Sequence, residues 1–129
     1  MTYRVYIVED NEFVRENLIE ALDELPRVKV VGSTVTESEA SYWLQKNCDD
    51  WDLAVVDLFL EQGNGLGVLE SCKRRAPGQK VIMLSNNASA NVHERCKELG
   101  ADAVFDKAED LDKFNAFIEA CRQQELEKA

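Results

Sequence analysis

Five short apolar runs, each followed by a stretch of helical period, constrain this chain more than any other feature. The runs are residues 4–8, 28–32, 53–56, 81–84 and 103–105. They are rich in Val, Ile and Leu and mostly lack polar–apolar alternation, the pattern of parallel strands covered on both faces. Between them the period changes. Phe13, Val14, Asn17, Leu18, Ala21, Leu22 and Leu25 share one face of a first helix, which Pro26 stops. Thr36-Glu37-Ser38-Glu39 reads as a capping box opening a second, with Ala40, Trp43, Leu44 and Asn47 inward. Leu66, Leu69 and Cys72 mark a third helix that ends near Pro77-Gly78, and Val92, Cys96 and Leu99 a fourth, closed by Gly100. Asp110 is placed to cap a fifth, with Leu111, Phe114, Phe117, Ile118 and Cys121 inward. Five β–α units in succession predict an α/β fold with a doubly wound, five-stranded parallel sheet.

The 129 residues suit one domain, read as 1–122, followed by a polar end at 123–129 that is expected to fray. Fifteen Lys and Arg against 25 Asp and Glu give a formal charge of −10, which argues against direct nucleic acid binding by this domain. No apolar run approaches the roughly 20 residues of a membrane span. Met1-Thr2-Tyr3-Arg4 leads straight into the first run, so a cytoplasmic domain without a signal peptide is expected. Cys48, Cys72, Cys96 and Cys121 show no zinc spacing and read as small hydrophobes in a reducing compartment.

In a doubly wound sheet, ligands bind outside the carboxyl ends of the strands. The first run ends in Glu9-Asp10, the third in Asp57 and the fourth in Ser85, while the fifth leads through Phe105-Asp106 to Lys107. Three carboxylates on one rim repel each other unless a cation sits among them. An all-oxygen set suits a hard divalent ion, and carboxylates with waters and a phosphate suit Mg²⁺. A nearby ammonium and hydroxyl are suited to phosphoryl oxygens. Asp57 follows the apolar run 53–56 and is the most central carboxylate, hence the nucleophile candidate. Any one such residue is ordinarily a loop residue or a helix cap. Their joint occurrence at four of five strand ends sets this chain apart. Gly63-Asn64-Gly65 follows the third run and not the first, so it reads as a turn and not a phosphate loop.

At these residues the chain resembles the receiver domains of bacterial two-component response regulators, over nearly its whole length. The resemblance is carried by Val8-Glu9-Asp10-Asn11, by Val55-Val56-Asp57-Leu58 with Gly65-Leu66, by Met83-Leu84-Ser85, and by Val104-Phe105-Asp106-Lys107. It implies a flavodoxin-like fold with strand order 2-1-3-4-5. It implies that Asp57 is the phosphoacceptor, taking a phosphoryl group in line from a histidine kinase or histidine phosphotransfer protein. Asp10 and Asp57 would hold Mg²⁺ directly, Glu9 through water and Phe59 through its backbone carbonyl. Lys107 would pair with Asp57 and then with the phosphoryl oxygens, which Ser85 would also bond. Phe105 would turn inward as Ser85 moves, remodelling the face of the fourth helix, fifth strand and fifth helix. That face would meet an output protein, a second copy or a C-terminal output domain. Phosphoryl transfer depends on positioning and charge neutralisation more than on covalent chemistry, which agrees with this set.

The chain also departs from the family pattern. Glu61 stands where many relatives have Pro, so a more mobile loop after Asp57 is expected. Asn86 replaces a small residue and, with Phe59, is expected to border the in-line route to Asp57 and lengthen the phosphoryl lifetime. Asn87, two residues past Ser85, is placed to orient a water only weakly. Ala108 follows Lys107 where Pro is frequent, so no cis peptide is expected there. Two other functions compete. A receiver-fold interaction module independent of phosphorylation would usually lack one of the acidic pair, the acceptor or the Lys, and none is missing. A metal-dependent phosphatase would want a second carboxylate two residues after its nucleophile, where Phe59 stands.

Overall fold

The computed structural model describes residues 2–86 and 89–128. In chain order the elements are β1 (Tyr3–Val8), α1 (Glu12–Asp23), β2 (Val28–Thr34), α2 (Glu37–Lys46), β3 (Leu53–Asp57), α3 (Gly65–Ser71), β4 (Lys80–Ser85), α4 (Ala90–Glu98), β5 (Ala103–Asp106) and α5 (Leu111–Lys128). The strands form one parallel sheet in the order β2-β1-β3-β4-β5. From β1 the chain steps out to β2, then returns to lay β3 on the other side of β1. That reversal opens a crevice at the carboxyl ends of β1 and β3, flanked by Glu9 and Asp57.

Each strand sends alternate side chains into two separate cores, which is why the runs are largely apolar and the central strand β3 is buried along its whole length. Tyr6, Val8, Ala54, Val56, Val81 and Met83 pack with α2, α3 and α4. Val5, Ile7, Leu53, Val55, Ile82 and Leu84 pack with α1 and α5. On the first side the Trp43 ring stacks on Tyr6, with centroids 4.0 Å apart. Asn11, Thr36, Asn64 and Ser89 cap α1 to α4, each side chain accepting a backbone N–H from the first turn.

Several helical faces differ from the sequence pattern. From α1 and the turn after it, Leu22 is buried in the core, with Leu18, Ile19 and Leu25 packed against it. Phe13, Asn17 and Ala21 are exposed, because that side of α1 faces a groove toward α5 and not the sheet. Leu111 is likewise exposed on the far lip of the groove. α3 stops at Ser71, well before Pro77, and Cys48 lies exposed beyond the end of α2. Within the polar end, α5 continues to Lys128, and Gln123 donates to Glu127 one turn on. Asp110 offers its carbonyl to the Phe114 N–H and turns its carboxylate back to the Asp106 N–H. No described helix is long and apolar enough to cross a membrane.

Candidate functional site

Glu9, Asp10, Asp57, Ser85 and Lys107 meet at the carboxyl edge of the sheet because four strands end there side by side. Glu9 follows β1 and is almost fully enclosed, with 1% of its surface exposed. Its carboxylate accepts the Lys107 ammonium at 2.5 Å and the Asn11 N–H at 3.2 Å. Asp57 closes β3, also buried, and accepts Lys107 at 3.1 Å and the Phe59 N–H at 3.2 Å. Lys107 therefore bridges two buried carboxylates. Half-buried Asp10 accepts the Glu61 N–H at 2.6 Å. One carboxylate oxygen from each of Glu9, Asp10 and Asp57 lies within 4.8 Å of the others.

The electrostatics follow from this crowding. Burial, and after it the neighbouring Asp57, push the Glu9 carboxyl up to about 7, against the pull of Lys107. Burial alone would lower the Lys107 ammonium, but Glu9 and Asp57 outweigh it and hold the amine above its ordinary value. One ammonium among three carboxylates leaves net negative charge in a partly enclosed pocket. A small oxygen-seeking dication fits that donor set.

Ser85 is buried at the end of β4, its hydroxyl turned to the Asn86 carbonyl at 3.4 Å, and its own carbonyl accepts the Lys107 N–H at 2.9 Å. Phe105 on β5 is buried, its ring edge-on to Phe114 and Phe117 of α5 at 6.0 and 5.6 Å between centroids. The Phe59 side chain is 64% exposed, lying with Val92 and Arg95 of α4 along a small cleft. Asn86 borders the other groove, between α1 and α5. The two side chains expected to border one route thus line different cavities. Asn87 lies outside the described residues.

The loop after Asp57 is hydrogen-bonded back to the acidic pocket. The Glu61 N–H donates to Asp10, a bond that the Pro expected at this place from the resemblance could not make. Gly65 is required on steric grounds, since a Cβ there would collide with the Asp57 carbonyl. Sequence reasoning missed three contributors. Asp106 Oδ1 accepts the Ala108 and Glu109 N–H groups and shapes the turn after Lys107, whose peptide to Ala108 is trans. Arg15 donates to the Glu9 carbonyl, and Glu37 accepts the Asn64 N–H. Asp106 was within reach, since it lies inside the motif that ends in Lys107. Glu37 was absorbed into the α2 cap.

A family profile described as the response regulator receiver domain matches residues 5–119. The chain is 34% identical over 105 residues to a protein-glutamate methylesterase/protein-glutamine glutaminase of Cereibacter sphaeroides, covering 81% of this chain and 28% of that protein. It is 30% identical over 86 residues to the DNA-binding transcriptional activator DevR/DosR of Mycobacterium tuberculosis, covering 67% of this chain and 39% of that relative. The response regulator domain of Thermotoga maritima CheB matches the fold with a TM-score of 0.78 at 25% identity, over 95% of this chain and 96% of that one. The chain belongs to the response regulator receiver domain family, whose place is in bacterial two-component signalling. It spans less than half the length of these two curated relatives, 28% and 39%.

Proposed function

We propose that this domain accepts a phosphoryl group on Asp57 from the phosphohistidine of a histidine kinase or phosphotransfer protein, with Mg²⁺ bound in the acidic pocket, and thereby changes its affinity for a partner. The observation that carries this reading is Lys107 bridging buried Glu9 and Asp57, with Asp10 alongside. Asp10 and Asp57 would hold the ion directly, Glu9 through water, with the Phe59 carbonyl completing the set. When bound, the ion supplies neutralising charge to the phosphoryl oxygens. An Asp57 carboxylate oxygen attacks phosphorus, the P–N bond breaks, and its electron pair stays on the imidazole. Lys107 keeps its hold on the pocket through Glu9 while its remaining protons turn to the phosphoryl oxygens. Ser85 exchanges its long bond to the Asn86 carbonyl for a phosphoryl oxygen. Its movement is felt by Phe105 on the adjoining strand, and so by the face of α4, β5 and α5 that meets an output partner.

A protein phosphodonor is favoured by the groove of about 470 Å³ beside Lys107, where Phe13, Ala21 and Leu111 offer apolar surface. The test is labelling by a phosphohistidine-bearing donor with and without Mg²⁺. Label that requires Mg²⁺ and is lost in Asp57→Asn supports the reading. Undiminished label in Asp57→Asn overturns it.

A further inference from the structure

Glu37 begins α2, far in sequence from the pocket, yet it makes two bonds to the loop that follows Asp57. Its Oε1 accepts the Asn64 N–H at 2.7 Å, and its own N–H donates to the Gln62 carbonyl at 3.1 Å. Asn64 is the N-cap of α3. In an ordinary capping box the N-cap N–H is satisfied by a Glu or Gln at the third helical position. In α3 that position is Gly67, which has no side chain. A Cβ built on Gly67 would collide with the Glu37 carboxylate, and one on Gly63, at φ +94°, with the Glu37 Cβ. The Glu37 carboxylate thus occupies the space a side chain at Gly67 would take, and bonds the N–H that such a side chain would bond. The box is split between two helices.

We infer that Glu37 is a positioning residue for the Asp57 loop, a latch from α2 that sets the loop so that the pocket binds its metal ion. The loop has two anchors on opposite sides. Asp10 takes the Glu61 N–H on the pocket side, and Glu37 takes Gln62 and Asn64 on the α2 side. Between Asp57 and Glu61 lies Phe59, paired across the loop with Asn64 in a short antiparallel bridge. Loss of the Glu37 bond frees Asn64, and through that bridge loosens Phe59, whose carbonyl the proposed function assigns to the ion. The inference rests on that assignment.

The experiment is a Mg²⁺ titration followed by amide NMR shifts, with hydrogen exchange at Asn64, on the wild type and three variants. Glu37→Ala is expected to speed Asn64 exchange about tenfold, as for loss of one charge-assisted hydrogen bond. It is also expected to raise the Mg²⁺ dissociation constant about tenfold, as outer-shell changes do. Glu37→Gln keeps the acceptor and is expected to restore both. Gly67→Ala reaches the latch from the other side. Ala improves the helix, so the melting temperature is kept or raised, while its Cβ displaces the carboxylate and weakens Mg²⁺. A purely structural role would not produce that split, and this variant keeps the test alive should Glu37→Ala fail to fold. Wild-type Mg²⁺ affinity in Glu37→Ala or Gly67→Ala overturns the inference, as does a Glu37→Gln protein as weak as Glu37→Ala. A wild type with no Mg²⁺-dependent shift overturns instead the metal reading of the pocket.

Discussion

At the scale of single residues, Glu9 is the most deeply buried carboxyl described. The folded protein holds a proton on it up to about pH 7, whereas an unperturbed carboxyl loses it near 4.5. Between those values the folded state binds more protons than the unfolded one. The metal-free domain should therefore lose stability as pH rises from about 4.5 to about 7 and level off above that. Melting curves across this window should show a fall in the wild type that Glu9→Gln lacks. Equal slopes in the two proteins would remove Glu9 from the account. Mg²⁺ requires the ionised carboxylate, so its stabilising effect should grow over the same window. Glu61 gives a second prediction. Glu61→Pro removes the N–H that Asp10 accepts, leaving that carboxylate less compensated. The metal-free protein should melt earlier and gain more from Mg²⁺ than the wild type. The identity of residue 61 was legible in the sequence, but its effect was not. Missing Pro suggested mobility, while the structure uses the freed N–H as a tether.

At the scale of elements, the alternation of β and α segments was fully legible, because strands buried on both faces must be apolar throughout. The orientation of α1 was not. Seven residues at helical spacing make a stripe wider than one contact line, and only packing decides which ridge meets the sheet. The ridge left over, with Phe13 74% exposed and Leu111 opposite it at 54%, is the apolar lip beside Lys107. Phe13→Asp or Leu111→Asp should slow phosphoryl transfer from a protein donor about tenfold, as expected for an apolar contact in an interface centre, while leaving Mg²⁺ affinity unchanged. Equal transfer rates in wild type and variants would show that the donor docks elsewhere. The proposed switch acts on the edge-on contacts of Phe105 with Phe114 and Phe117. A phosphoryl mimic such as beryllium fluoride should shift amide signals through 92–99 and 103–117. Shifts confined to the loop after Asp57 would leave the α4, β5 and α5 face without a role in output. Asn86 and Phe59 line different grooves, so the gating role given to the pair is tested at each by itself. Phosphoryl decay in Asn86→Ala and in Phe59→Asn should differ, not change in parallel.

At the scale of the molecule, topology does most of the work. A parallel sheet whose strand order reverses at β1 and β3 brings residues from positions 9, 57, 85 and 107 to one edge, so the site was legible once the strand ends were known. The bonds of Glu37 and Arg15 were not, since no spacing rule links Glu37 to Asn64 or Arg15 to the Glu9 carbonyl. Two independent cores fix the sheet from either side, and the pocket between them carries charge that the fold alone does not neutralise. The central claim is that this charge is organised around a phosphoryl group on Asp57. The most direct measurement is to phosphorylate the protein from a phosphohistidine donor in Mg²⁺, reduce the acyl phosphate with borohydride, and locate the resulting homoserine by peptide mass spectrometry. Homoserine at position 57, formed only with Mg²⁺, is the predicted result. Homoserine at another aspartate, or none from a labelled protein, would contradict it.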